Sequence, residues 1–346
     1  MTTVSAKPAA AQVPATVSPA MPPDEAGLEA AARAMAGVLA ELGKIVLGQQ
    51  RLCREVLIGL LAGGNVLIEG QPGLGKTLLV RALADTVDIV ASRIQFTPDL
   101  MPADITGTQV LMRDDAGRSN LEFRAGPLFA NLVLADEINR ATPKTQSALL
   151  EAMQEHAVTV AGVRRVLAEP FCVIATQNPI EMEGTYPLPE AQLDRFLLKV
   201  TVGFPTIDVL REIGLTTTGE SLPQASRVLD RANLLAIQRL VRQIVVAPHV
   251  ADAAANLTLA THADHPGAPA RVKKYVKFGA SPRAMQALLL AGRAHALLAG
   301  RAWVGKDDLA AVAAPVLRHR MILGFDATLD GITTDALVAD ALATLA

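Results

Sequence analysis

Two hydrophobic rhythms divide the chain. Between about residues 65 and 205, short apolar runs alternate with helical stretches. Residues 66–69, 93–96, 132–135, 171–176 and 197–202 read as strands, and residues 78–86 and 143–155 as helices between them. Strands this short and this continuously apolar are buried on both faces, so the pattern predicts an α/β fold, a central parallel sheet in an αβα sandwich. Two segments break the rhythm. Residues 108–123, turning at Asp114-Asp115-Ala116-Gly117, and residues 158–167, turning at Ala161-Gly162, are expected as inserted β-hairpins. After Pro205 the strand signals fade, and residues 230–244, 248–263, 281–299 and 306–319 read as helices. Ser281-Pro282 and Asp307-Asp308 are the start signals of the last two. At the other end, residues 1–23 hold Pro8, Pro14, Pro19, Pro22 and Pro23 among Ala, Thr, Ser and Val, a mixture expected to be a disordered tail. Order is expected from Asp24, in a helix over 24–40. The predicted organisation is a tail over 1–23, an α/β core over 24–205 and a smaller all-α domain over 206–346.

Composition narrows the function. Of 346 residues, 51% are hydrophobic, ample for a core and incompatible with global disorder. Thirty-two Lys+Arg against 34 Asp+Glu leave a net charge of −2, and only 3% of residues are aromatic. A nucleic-acid motor is usually basic and a single-strand binder needs stacking platforms, so no nucleic-acid partner is expected. Cys53 and Cys172 provide neither a disulfide framework nor a zinc site, and a reduced, cytoplasmic setting is the expectation. Mean hydropathy is +0.31, yet charges interrupt every apolar stretch before a spanning length of about 18 residues. No membrane segment is expected.

Three motifs carry chemistry. Gly70-Gln71-Pro72-Gly73-Leu74-Gly75-Lys76-Thr77 matches G-x-x-x-x-G-K-[ST] between a strand and a helix. Such glycines let backbone N–H groups turn toward phosphate oxygens, and the helix adds its positive dipole end. Lys76 then reaches the β- and γ-phosphates of a nucleotide, Thr77 ligates Mg²⁺, and Leu78 continues the helix. Asp136 and Glu137 end a buried strand, which places them beside that loop: Asp136 for the metal's hydration shell, Glu137 to polarise the attacking water. Ala175-Thr176-Gln177-Asn178-Pro179 ends another strand, where Pro179 stops the strand and Asn178 either hydrogen-bonds γ-phosphate and water or belongs to a plain Asn-Pro turn, the better reading of the pair by itself.

These motifs, with Ala135-Asp136-Glu137-Ile138-Asn139-Arg140, Leu188-Pro189-Glu190-Ala191-Gln192-Leu193-Asp194-Arg195-Phe196, residues 95–104 and Gly279-Ala280-Ser281-Pro282-Arg283-Ala284, resemble the MoxR family of AAA+ ATPases over about residues 30–340. The resemblance implies an AAA+ P-loop core followed by a helical lid, ATP and ADP with Mg²⁺ as cofactors, and a homo-oligomeric ring, a hexamer, with nucleotide between subunits. It assigns Arg195 as the arginine finger acting on the neighbour's nucleotide, with an ion pair to Asp194 or Glu190 as the other reading and Arg140 as a rival finger. It makes Arg283 a lid arginine that senses the γ-phosphate in cis, against a helix-start surface charge. Val46-Leu47-Gly48-Gln49 resembles the segment that packs on adenine, or is a plain helix–loop junction. The hairpins resemble inserts that face a pore or partner. The implied output is ATP hydrolysis coupled to remodelling or maturation of a partner protein, with von Willebrand factor A domain proteins as the partner class.

A nucleic-acid motor and a nucleotide-gated scaffold with little turnover are the alternatives; the intact Asp136-Glu137 pair, Asn178 and Arg195 oppose a dead site. His262 and His265, near Asp264, invite a metal, but a solvated loop is the expectation. Arg271, Lys273, Lys274 and Lys277 are expected on a wet surface, and Trp303 in lid packing.

Overall fold

A computed structural model describes residues 24–113, 119–178, 184–218 and 223–345. The expected tail over 1–23, the Asp114–Gly117 turn and the stop at Pro179 lie outside the described residues.

In chain order the first half comprises α1 (Glu25–Ile45), α2 (Gln50–Leu61), β1 (Val66–Glu69), α3 (Lys76–Thr86), β2 (Ala91–Gln95), α4 (Pro102–Thr106), β3 (Gly107–Arg113), β4 (Ser119–Ala125), β5 (Leu132–Asp136), α5 (Pro143–Glu155), β6 (Ala157–Val160), β7 (Val163–Val166), β8 (Cys172–Gln177), α6 (Glu190–Leu193) and β9 (Leu198–Thr201). The second half comprises α7 (Ile207–Thr217), α8 (Arg231–Gln243), α9 (Pro248–Leu259), α10 (Ala270–Tyr275), β10 (Val276–Phe278), α11 (Pro282–Leu298), α12 (Lys306–Leu317), β11 (Ile322–Leu323), α13 (Phe325–Leu329) and α14 (Thr334–Ala343).

The sheet runs β2-β5-β8-β1-β9, and every pairing in it is parallel. Alternation along the strands explains the two covered faces. Val66, Ile68, Leu132, Leu134 and Ile174 join one apolar cluster, while Leu67, Val133, Ala135, Val173 and Ala175 join the other. The second cluster is closed by α5 residues Leu149, Leu150 and Met153. The first continues through α1, α2 and α3 into α8, α9, α11 and α12 of the second half. Core and lid therefore share one apolar interior, with α1 packed on both α3 and α11.

The hairpins form as expected. β3 pairs with β4 from Gly107↔Ala125 to Arg113↔Ser119, and β6 with β7 across Ala161-Gly162, both at positive φ, as a primed two-residue turn needs. Arg165 lies 3.7 Å from the centroid of Phe123, joining the two hairpins.

Three expectations need correction. The lid is not purely helical, because β10 and β11 pair antiparallel; strands of three and two residues are too short to leave a period-2 signal. The helix expected over 24–40 continues to Ile45 and is followed by the unpredicted α2, whose only exposed residues are Gln50, Arg51 and Arg54 near its start. His262 is half-buried, with Nε2 against the Ala280 carbonyl at 2.9 Å, so it holds the loop before α11 and does not face solvent freely. Among the described residues no group of His, Cys, Asp and Glu is arranged to hold a metal ion, and no helix is long and apolar enough to cross a membrane.

Candidate active site

Register brings the motifs together. In the pairing of β2 with β5, Gln95 stands beside Asp136; in that of β1 with β8, Ile68 stands beside Thr176 and Glu69 beside Gln177. The C-terminal strand ends thus meet at the start of α3, where ligands gather in open parallel sheets. Gly75 takes φ +76° at the N-cap of α3, a conformation that favours glycine and lets the chain enter the helix directly after the loop. A cavity of about 390 Å³ opens here, lined by the loop from Pro72 to Leu78 and by Arg93, Gln95, Asp136, Glu137, Thr176 and Asn178.

The acid pair is held by a compact network. Thr176 Oγ1 donates to Asp136 Oδ1 at 2.6 Å and accepts from the Glu137 N–H at 2.9 Å. Arg93 Nη2 donates to Asp136 Oδ2 at 2.7 Å. Glu137 Oε2 accepts from Gln95 Nε2 at 2.8 Å and from Arg140 Nη1 at 3.1 Å. Glu137 itself sits at φ +58°, a left-handed conformation that costs a non-glycine residue roughly 1–3 kcal/mol and that the Thr176 contact secures. Lys76 Nζ donates to the Gly70 carbonyl at 2.5 Å. Burial pushes its ammonium below the usual lysine value, while Asp136, Glu137 and Glu69 pull it back up.

A second, apolar cavity of about 330 Å³ shares Pro72, Gly73, Leu74, Gly75 and Leu78 with the first. Its other walls include Val46, Leu47 and Gln49 before α2, Phe204 and Pro205, and Leu210 and Ile213 of α7. Gly48 sits between these walls at φ +70°, and a Cβ there would lie 2.4 Å from Val209 Cγ1. The phosphate loop therefore separates a polar, acid-lined compartment from an apolar one, the division a nucleotide needs between phosphates and base.

Gln49, Pro72, Gly73, Leu74, Gly75, Lys76, Thr77, Leu78, Asp136, Glu137 and Asn178 line one cavity or the other. Gln71 lies exposed at the start of the phosphate loop. Arg195 and Arg283 line neither. Among the described residues no ion pair joins Arg195 to Asp194 or Glu190; Asp194 pairs with Arg320 at 2.8 Å and lies 3.7 Å from Arg283. The sequence missed the roles of Arg93, Gln95 and Thr176. The period-2 spacing of Arg93 and Gln95 on either side of the buried Ile94 was the available signal.

A parallel sheet with a phosphate loop, a strand-end acid pair and a helical lid defines an AAA+ ATPase. The family model described as the ATPase family associated with various cellular activities matches residues 65–198, and an AAA lid domain matches residues 268–341. The chain is 43% identical to the chaperone MoxR1 of Mycobacterium tuberculosis, over 92% of this chain and 84% of that one, and 31% identical to the protein MoxR of Methylorubrum extorquens, over 82% and 86%. It also matches the crystal structure of an ATPase candidate from Cytophaga hutchinsonii, with a TM-score of 0.86 and 37% identity, over 92% of this chain and 96% of that one. The chain belongs to the MoxR family of AAA+ ATPases.

Proposed function

We propose that this ATPase hydrolyses ATP to ADP and phosphate in a Mg²⁺-dependent reaction within a hexameric ring, and uses the resulting core–lid motion to remodel or activate a partner protein. The observation that carries this reading is the hydrogen-bonded set of Asp136, Glu137 and Thr176 facing Lys76 and Thr77 across one cavity. The Thr77 hydroxyl and the Asp136 carboxylate are hard oxygen donors of the kind Mg²⁺ takes. Asp136 already faces a cation in Arg93, so its geometry suits positive charge. Bound there, Mg²⁺ would neutralise charge on the β- and γ-phosphates.

The chain's own residues do the rest. Loop amides and Lys76 bind the phosphates, the apolar cavity with Gly48 and Gln49 takes adenine, Glu137 accepts the hydrogen of the attacking water, and Asn178 orients that water. Arg140 is engaged with Glu137 of its own subunit, which favours Arg195 as the finger supplied to the neighbour. Arg283, in the first turn of α11, is the lid group that swings toward the γ-phosphate on closure. The chaperone name of the mycobacterial relative supports the remodelling output, and a protein with a von Willebrand factor A domain is the partner class suggested by the family resemblance.

Mixed rings test the assembly. Arg195→Ala subunits, inactive alone, are expected to regain turnover when mixed with Lys76→Ala subunits, which lack the phosphate grip but carry a native finger. No recovery in assembled mixtures contradicts a trans finger. Chelation by EDTA is expected to abolish turnover and added Mg²⁺ to restore it; turnover that persists in EDTA contradicts the metal requirement.

A further inference from the structure

Away from the nucleotide cavity, core and lid meet at one carboxylate. Asp194 follows α6 and immediately precedes Arg195. Its Oδ1 accepts from Arg320 Nε at 2.8 Å, its Oδ2 accepts from Ser281 Oγ at 2.9 Å, and Arg283 Nη1 lies 3.7 Å from that second oxygen. All three partners belong to the lid. The Arg320 side chain is only 2% exposed; its Nη1 donates to the carbonyls of Leu197 at 3.1 Å and of Val316 in α12, and its Nη2 to the carbonyl of Phe196 at 2.7 Å and, at 3.4 Å, to that of Asp194. His319 Nε2 lies 3.0 Å from the Phe196 carbonyl; a carbonyl only accepts, so this nitrogen carries the hydrogen. Arg318 donates to the Lys199 carbonyl and to Thr201 Oγ1, each at 3.0 Å, and is itself held by Asp335 of α14 at 2.9 Å.

Three consecutive lid side chains, Arg318-His319-Arg320, therefore grip the segment from residue 194 to 201 through its side chains at both ends and the carbonyls of Phe196, Leu197 and Lys199 between them. A planar guanidinium fork fixes orientation as well as distance, which a lone charge does not. The gripped stretch holds Arg195 at one end and β9 at the other. β9 pairs in register with β1, from Val66↔Leu198 to Glu69↔Thr201, and Lys199 Nζ lies 3.0 Å from Glu69 Oε1, next to the phosphate loop.

We propose that Asp194 and Arg320 are positioning residues for the arginine finger, through which the lid of each subunit sets the pose of its own Arg195 and thereby the hydrolysis rate in the neighbouring subunit. The proposal rests on the trans role of Arg195 given above. It supplies a route for communication around a ring. Closure of the lid moves the segment after α12, that segment moves Asp194, and the finger follows without any change in the acid pair of its own subunit.

Asp194→Asn keeps the size of the side chain and removes its charge. Alone, it is expected to lower ATP turnover by at least about tenfold, part of what loss of a finger removes, with ATP affinity within about threefold of wild type and assembly intact. Mixed in equal amounts with Lys76→Ala subunits, turnover per Asp194→Asn subunit is expected to return to roughly half the wild-type value, because about half of those sites then face a native finger. A defect confined to the variant's own fold or own site is not repaired by a neighbour. Arg320→Lys, which keeps the charge but loses the fork, is expected to be rescued in the same way and carries the test if Asp194→Asn does not assemble. Rescue of Arg195→Ala without rescue of the Asp194 and Arg320 variants, or wild-type turnover by those variants alone, overturns the positioning role and leaves the trans finger standing. Failure to rescue Arg195→Ala overturns the trans finger, and this proposal with it.

Discussion

Thr176 makes two contacts that no charged side chain in the cavity duplicates: its hydroxyl donates to Asp136 and receives the N–H of Glu137. Replacing it with valine keeps the strand shape and leaves both partners short of a hydrogen bond in a partly buried site, a loss of roughly 1–3 kcal/mol. Thr176→Val is expected to lower turnover by about tenfold or more while ATP affinity changes little, since the phosphate loop is untouched. Steady-state rates beside calorimetric binding check this, and unchanged turnover contradicts the role. At this scale the sequence was most informative where chemistry is contiguous. Lys76, Thr77, Asp136 and Glu137 stand in short strings whose spacing already states their use. Thr176, Arg93 and Gln95 acquire theirs from the register between strands, which joins residues far apart in the chain. The left-handed backbone at Glu137 was equally hidden, because nothing in the side chain announces it.

Between elements, the weakest sequence signal became one wall of the apolar cavity. The link from α1 to α2 passes Gly48 close against Val209 of α7, and a Cβ would fall within 2.4 Å of it. Gly48→Ala combines that clash with a positive φ, so a destabilisation of about 1–3 kcal/mol is expected, together with a weaker fit for the base. Thermal unfolding with and without nucleotide measures both effects; a variant as stable and as tightly binding as wild type contradicts this packing. Strands and helices with a clean period were legible, α5 from Pro143 to Glu155 among them. α7 was missed although Ile207, Leu210 and Ile213 recur every three residues; it buries no residue, offering Leu210 and Ile213 to the cavity while Ile207 and Leu215 face outward. The order of the strands in the sheet also lay beyond local pattern, since it follows from crossovers between distant segments.

For the molecule as a whole, the lid must be stiff enough to transmit motion, and its rigidity centres on Asp308. This buried carboxylate accepts from His295 Nδ1 at 2.6 Å, from Arg301 Nη1 at 2.7 Å and from the Gly305 N–H at 2.7 Å. Burial pushes its pKa up, but His295, Arg301 and the Gly305 amide outweigh that and hold it at about 2 against an ordinary 3.8. A depressed carboxylate stabilises the folded lid at pH above its unfolded value, and that contribution fades as pH falls from about 4 toward 2. Asp308→Asn is therefore expected to cost about 2 kcal/mol near neutral pH, with the gap to wild type narrowing on acidification. Chemical unfolding at several pH values reads this directly, and a gap that stays constant or widens contradicts it. The helical character of the lid was visible in the sequence, whereas the apolar interior it shares with α1, α2 and the sheet was not, because such continuity depends on how the halves dock.

The central claim is that the phosphate loop and the strand-end acids form a single hydrolytic centre, with binding and chemistry assigned to different residues. The most direct measurement is ATP bound and ATP hydrolysed by the same preparation of Glu137→Gln. The account predicts ATP held with near wild-type affinity and turnover reduced by about a hundredfold or more, because the metal-side carboxylate of Asp136 stays while the group that takes the water's proton is lost. Wild-type turnover in that variant, or loss of ATP binding along with activity, would contradict it.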